Sequence, residues 1–404
     1  MVKKLGYSLI FILLLVLGGA GWYFSGLIYE GALNPDFTDA QEIGTAEDRV
    51  IVSQIDTKTI TLNVEEELWG PMLENGTYGI IGQNGDAVVG EIISTDGNIV
   101  TRELLEMNGN IVEGEKIRAT SLVLINDEGY KILGTSGWSG QATEGVYTPK
   151  SVADLEYETI NYTSEIGTFP AYLTKSGENG IVIFVHGFRG DYTREVFALM
   201  RTGEFEQLGF RSMIIAYRND RGFAKDPSGI YQYGTTEWVD IDAAVNKALE
   251  LTDNVILFGT SGGGGPISGW IKNVHDKNKV SGVIYEAPTI NFWESVKVNG
   301  AARFPWLPPS TFEYFKIITE IRYDVDFDKM NFTEEVIASD IPVLLFHGDD
   351  DEWVPVEMSD YIASRRTKNF TYMRYENVGH NTAWNADPQK YKDALSTFLK
   401  SLDK

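Results

Sequence analysis

The chain contains no cysteine, which excludes disulfides, thiolate metal sites, a cysteine nucleophile and a lipid-modified cysteine at one stroke. Positive charge is scarce as well: 34 Lys and Arg stand against 58 Asp and Glu, a formal net charge of -24. Such a surface repels polyanions, so no nucleic-acid partner is expected. Histidine is rarer still, with four in 404 residues, so imidazole chemistry has few candidates. Any catalysis must use an oxygen nucleophile or a metal held without sulfur. Apolar residues, by contrast, are plentiful at 43%, with 20 each of Tyr and Phe, which is enough to build real cores. The length exceeds what one core usually reaches, roughly 300 residues, so more than one folded unit is expected.

No charged residue interrupts Leu5 to Tyr29. As a helix this run is longer than a hydrocarbon layer of roughly 30 Å. Lys3 and Lys4 precede it, and only acids follow until Arg49, so the positive-inside rule puts the N-terminus in the cytoplasm and the remainder outside. The expectation is a single-pass anchor over residues 1–30, in contact with the bilayer through 5–29, in a cell-membrane protein with an extracytoplasmic body. A cleaved signal peptide, with Gly18 and Ala20 as its small-residue site, fits less well because Gly21 to Tyr29 stays apolar beyond that point.

Residues 31–48 read as an acidic linker. From Val50 the texture becomes short β-branched runs, one of them folded back at "QNGD", with turn chemistry again at "EMNGNIVEG". This predicts a small β-rich module over 49–140 without a site motif of its own, ending in a Gly/Ser-rich connector, "GTSGWSGQATEG". Beyond it, "GIVIFVHG", "RSMIIAYR", "NVILFGTS", "VSGVIYEAP" and "IPVLLFHGD" are nearly continuous apolar runs of strand length, with amphipathic helices between them. The fold class is α/β, a mostly parallel sheet flanked by helices over 150–404. Ligands then belong at the carboxyl ends of the strands.

One of those strands leads into "ILFGTSGGGGPISGW", residues 256–270. As a phosphate loop it fails, because Pro266 and Ile267 stand where Lys and Ser or Thr are required, and a dinucleotide fingerprint fails at Ile267. As a nucleophile elbow it succeeds: Gly259-Thr260-Ser261-Gly262-Gly263 is G-x-S-x-G between an apolar strand and a helix. A serine hydroxyl needs a base, and the base an orienting acid. His275 lies in a polar segment, while His186 and His347 each end a strand before a glycine. In α/β-hydrolases the acid and then the histidine follow the serine, and His380 alone follows both Ser261 and an acidic cluster. Within that cluster, "HGDDDEWVP", Asp349, Asp350, Asp351 and Glu352 compete.

In order and context the segments H-G-F-R-G, G-x-S-x-G, H-G-x-x-D-x-x-V-P and G-H resemble the α/β-hydrolase superfamily over about residues 155–404. "EIGTFPAYL", "YRNDRGFAKDPSGIYQYGTTEW" and "YEAP" look like its serine aminopeptidase (S33) and Bem46-like branch, which includes membrane-anchored members. The resemblance implies that Asp351 is the acid and that the backbone N–H groups of Phe188 and Gly262 form the oxyanion hole. It also implies that the aromatic-rich stretch at about 289–340 is a cap insertion over the serine. Trp293, Phe304, Trp306 and Phe312 are its candidate pocket residues. One departure stands out. Gly262 to Gly265 are all glycine where the family often carries a bulky residue after the serine, which fits either extra room beside Ser261 or a looser start to its helix.

The expected activity is cleavage of an ester, thioester or amide through an acyl-enzyme, esterase- or lipase-like before any other, on a small-molecule or lipid substrate. An aminopeptidase-type peptidase and a non-catalytic surface binding protein are the alternatives. No metal or organic cofactor is required: Asp324, Asp326 and Asp328 imitate a calcium loop, but Lys329 replaces its obligatory glycine.

Overall fold

The computed structural model describes residues 17–34, 50–64, 72–126, 129–133, 147–188, 190 and 196–402. The first alternating runs form β1 (Val50–Ile55), β2 (Thr59–Val64), β3 (Tyr78–Ile81), β4 (Asn84–Asp96), β5 (Ile99–Asn110) and β6 (Lys116–Thr120). They close as an antiparallel barrel in the order β1-β2-β5-β4-β3-β6, which leaves no strand edge open to pairing. Val52, Ile60, Leu62, Ile80, Val89, Val100 and Ile117 fill its interior, as the two-residue period requires. The turn expected within "EMNGNIVEG" falls at the end of that stretch. β5 runs on to Asn110 because Gly109 adopts φ +81, where a Cβ would stand 2.5 Å from the Asn84 carbonyl; the chain turns at Val112–Glu115. A hairpin of β7 (Val123–Asn126) and β8 (Gly129–Ile132) follows, and the neighbouring Leu122 and Leu133 join the core of the next unit. The Gly/Ser connector lies outside the described residues.

That unit holds an eight-stranded sheet: β9 (Tyr157–Ser164), β10 (Gly167–Thr174), β11 (Gly180–Val185), β12 (Phe210–Ile215), β13 (Val255–Thr260), β14 (Gly282–Glu286), β15 (Val343–Gly348) and β16 (Phe370–Tyr375). Its order is β9-β10-β12-β11-β13-β14-β15-β16, antiparallel at β9 and β10 and parallel from β12 to β16. β11 to β15 are the five apolar runs. They are buried throughout because helices cover both faces. Ile241, Val245, Ile267 and Trp270 pack from the helices Trp238–Leu249 and Gly264–Asn273 on one side. Phe197, Phe205, Tyr391 and Leu395 pack from Val196–Gln207 and Pro388–Leu402 on the other. Between β14 and β15 the chain leaves the sheet for the cap helices Phe292–Arg303, Ser310–Tyr323 and Thr333–Ala338.

The amino-terminal run behaves differently from a bare lipid span. Residues 17–28 are helical and continue into a π-helical turn, Tyr29–Leu33, and this segment packs against the cap. The described residues contain no helix long and apolar enough to cross a membrane, and residues 5–16 of the expected span lie outside them. The expected linker also starts later than residue 31. Leu33 is fully buried with Phe292, Phe312 and Phe327, so the chain is held to protein at that point; residues 35–48 lie outside the described residues.

Candidate active site

Every candidate group stands just past the carboxyl end of a parallel strand: Phe188 after β11, Ser261 after β13, Asp351 after β15 and His380 after β16. Ser261 occupies φ +49, a left-handed conformation that costs a non-glycine residue about 1–3 kcal/mol and lifts the hydroxyl clear of the sheet. The surrounding glycines exist because backbone crowds this turn. A Cβ on Gly262 would lie 2.6 Å from Phe188 N, one on Gly263 2.1 Å from Val185 O, one on Gly264 2.6 Å from Pro288 Cβ and one on Gly265 2.5 Å from Tyr233 O. The four glycines therefore do not leave open space at these positions. Gly262 and Gly263 admit the Val185–Phe188 segment, Gly264 admits Pro288 and Gly265 admits Tyr233, and the first lets the Phe188 and Gly262 amides approach one another.

Ser261 Oγ lies 2.8 Å from His380 Nε2, and His380 Nδ1 lies 2.7 Å from Asp351 Oδ2. Asp351 can only accept, so Nδ1 carries the proton and Nε2 is left to accept from the serine hydroxyl. Burial alone would raise the Asp351 carboxyl. The adjacent His380 and the hydrogen bonds from His347 and His380 outweigh it, and hold the group well below the usual carboxylate range. Its other oxygen accepts the backbone N–H groups of Trp353 and Val354, both at 2.9 Å, which fixes the carboxylate plane. Asp349 instead pairs with Arg374, and Glu352 lines the cavity.

Two contributors had no role in the sequence reading. His347 Nε2 lies 3.2 Å from Asp351 Oδ2 and 3.0 Å from Val354 O, both acceptors, so it must donate, while Nδ1 pairs with the Ser359 hydroxyl at 2.7 Å. His347 is thus a second fixed donor on the acid. Its sequence signal is the histidine that opens H-G-x-x-D. The other is Glu74, from the barrel. Its buried carboxylate accepts from Tyr78 Oη at 2.9 Å, from Thr382 Oγ1 at 3.1 Å and from the backbone N–H of Gly379, next to His380. Around it, Asn75 N donates to Asn377 O at 2.9 Å and Asn385 Nδ2 to Thr77 O at 3.0 Å. No local motif marks this contact, because it joins segments about 300 residues apart.

Ser261 and His380 open onto a cavity of about 630 Å³, within the range of small-molecule sites. Phe304 and Phe312 line it as expected, beside Phe188, Tyr233, Phe292 and Phe315. Trp293 and Trp306 do not. Trp293 is turned into the cap core, where it packs on Phe327 and donates to Glu313 Oε1 at 3.1 Å, and Trp306 is 71% exposed with only its edge on Phe304. Part of the wall comes from Phe24, Leu27, Ile28, Gly31 and Ala32 of the amino-terminal segment, the first three of which composition alone assigned to lipid and the last two to a linker; Ser295, Val296, Asn299 and Arg303 of the cap line it as well.

A family profile described as a domain of unknown function (DUF8805) matches residues 51–120, the barrel. The bifunctional esterase/perhydrolase DCH of Acinetobacter calcoaceticus is 26% identical over 126 residues, which is 31% of this chain and 39% of that protein's length. Among solved structures, the Pyrococcus furiosus esterase Pf2001 superposes with TM-score 0.50 at 20% identity, over 65% of this chain and 96% of that one. The Exiguobacterium antarcticum esterase EaEST covers 60% of this chain and all of its own at TM-score 0.43 and 17% identity. Together with the strand order and the elbow after β13, the Pf2001 superposition identifies residues 157–402 as an α/β-hydrolase fold.

Proposed function

We propose that the chain is a carboxylic ester hydrolase of the α/β-hydrolase superfamily working through Ser261, His380 and Asp351. The observation that carries this reading is the unbroken hydrogen-bonded line from Ser261 Oγ through both ring nitrogens of His380 to Asp351. As Ser261 attacks the ester carbonyl, His380 Nε2 takes its proton, and the buried Asp351 stabilises the imidazolium. The N–H groups of Phe188 and Gly262 receive the negative charge that develops on the carbonyl oxygen. His380 then returns the proton to the departing alkoxide, and a water repeats the sequence on the acyl-enzyme. The resemblance of DCH, an esterase by name, supports esters over other acyl substrates.

The finer placement in the serine aminopeptidase and Bem46-like branch rests on the quoted segments alone. A peptidase needs an anion to receive a substrate amino terminus, and Glu352 is the acid at the cavity. Burial, with Asp350 and Asp351 nearby, pushes its carboxyl up. We further propose that the uncharged run from Leu5 tethers the enzyme to the cell membrane, with its catalytic unit outside the cytoplasm. Leu17, Trp22 and Tyr23, exposed on the amino-terminal helix, and Ile317 and Ile321, exposed on the cap helix beside it, support a lipid-facing side.

The test is labelling of the full chain with a fluorophosphonate. Wild type should label and Ser261→Ala should not; equal labelling of the two, or none of either, sinks the assignment.

A further inference from the structure

The cavity wall supplied by the amino-terminal helix is regular. Phe24, Leu27, Ile28, Gly31 and Ala32 follow the spacing i, i+3, i+4, i+7, i+8, one stripe of a helix turned toward the space above Ser261. The wall is built in by contacts remote in sequence. Phe24 stacks on Phe315 at 4.4 Å and meets Phe304 edge-on at 5.0 Å, and Tyr29 stacks on Tyr323 at 4.0 Å. Arg322 of the cap donates to Trp22 O at 2.6 Å and Ser25 Oγ at 3.0 Å, with its guanidinium 3.5 Å from the Trp22 ring centre. At the other end Tyr233 Oη donates to Ala32 O at 2.7 Å, and Tyr231 N to Leu33 O at 2.8 Å.

These end contacts orient the stripe. Tyr231 and Tyr233 pack on Phe188, at 5.1 and 5.7 Å between ring centres, and Phe188 supplies an amide beside Ser261. The small residues Gly31 and Ala32 therefore lie at the chemical end, and Phe24 lies at the far end under the cap. His380 must reach the leaving oxygen, so the alcohol departs on the His380 side and the acyl group extends away from it, along the side where Phe188 and the helix begin. From Ala32 to Phe24 the segment, π-helical and then α-helical, spans roughly 10–12 Å, the reach of a medium-length acyl chain.

We propose that the amino-terminal helix is the acyl-chain wall of the enzyme, and that its stripe selects esters of medium-length, unbranched acyl groups. The proposal rests on the esterase reading of the same site. It makes the segment that leads to the membrane a part of the substrate pocket, so that chain-length choice is written outside the sheet that carries the catalytic groups. Leu27, midway along the stripe, sets how far a chain runs; Phe24 closes the end.

The experiment compares p-nitrophenyl acetate, butanoate, octanoate and dodecanoate on the full chain in detergent, as kcat/KM ratios within each protein. For Leu27→Trp the octanoate-to-acetate ratio should fall by about tenfold or more, the discrimination typical of a pocket shortened by a few methylenes. For Phe24→Ala the dodecanoate-to-octanoate ratio should rise. Fluorophosphonate labelling of the same preparations reports whether the serine chemistry is intact. If both variants label and both keep the wild-type chain-length profile, the wall proposal is overturned while the esterase reading stands. If wild type neither labels nor hydrolyses any ester, the esterase reading has failed first, and the proposal falls with it.

Discussion

Glu74 offers the sharpest quantitative test, because one buried carboxyl joins the barrel to the loop that carries His380. It is 7% exposed, and burial pushes its pKa from 4.5 up to about 7, against the lowering effect of bonds from Tyr78, Gly379 and Thr382. The unfolded chain releases the proton near 4.5, while the folded chain holds it to about 7. The folded state thus binds more protons in that window, and stability falls as pH rises through it, by about 3 kcal/mol in total. The depressed Asp351 carboxyl acts in the opposite sense and elsewhere. Its contribution is present above 3.8, its ordinary value, and is lost as pH falls below it, so the two windows are separate. Glu74→Gln keeps an acceptor oxygen but cannot ionise, and should flatten the slope of unfolding free energy between pH 5 and 7.5. Glu74→Ala leaves the Thr382 hydroxyl and the Gly379 amide without their acceptor, while Tyr78 Oη keeps Asn75 O at 3.2 Å, so a loss of about 2–4 kcal/mol is expected. The assay is denaturant unfolding across that pH range. An unchanged slope in Glu74→Gln would refute the buried-acid argument, whatever its effect on activity.

Asp351→Asn should lower kcat about 10³- to 10⁴-fold, because an amide at this position no longer holds the His380 tautomer that accepts from Ser261, and should also forfeit the stability the ionised carboxyl contributes above its ordinary pKa; steady-state kinetics on a short ester decide the first. Gly263→Ala places a methyl 2.1 Å from the Val185 carbonyl, and should cost several kcal/mol or prevent folding, read by thermal unfolding. Arg218 is buried between Asp240, at 2.7 Å, and Asp226, at 3.1 Å, and braces the loop that brings Tyr231 and Tyr233 to the cavity. Arg218→Met should destabilise by about 3–5 kcal/mol, measured by denaturant unfolding, because it strands buried carboxylates.

The parts of the molecule legible in the sequence are those whose cause is local. An apolar strand followed by Gly259-Thr260-Ser261-Gly262-Gly263 specifies a tight turn through the sterics of a few adjacent residues. The short β-branched runs before residue 125 likewise announce strands facing a small core. The family resemblance implied a cap, but aromatic composition did not say which rings face the cavity: Trp293 and Trp306 carry the same signal as Phe304 and Phe312, and only packing separates them. The glycine run was misleading in an instructive way. Glycine reads as open space, whereas here backbone from the segments around Val185, Phe188, Tyr233 and Pro288 fills each place a side chain would take.

The amino-terminal segment shows why some of the rest could not be read. Uncharged apolar composition is the same signal whether a helix is destined for lipid or for a protein groove, since hydropathy measures only the avoidance of water. What distinguishes the two is the partner, and here the partner lies about 300 residues away: Tyr314 Oη on Leu17 O and Arg322 on Trp22 O. The helix also carries both characters at once. Trp22 and Tyr23 are 62% and 60% exposed, while Phe24 and Ser25, the next two residues, are buried against the cap. A helix held to the cap by one face needs apolar residues on that face, and by composition alone these read the same as those of an anchor. The same logic accounts for Glu74. A lone acid in a β-rich run reads as solvated surface, and only the loop from Glu376 to Asn385 closing over it turns it into a buried bridge to His380.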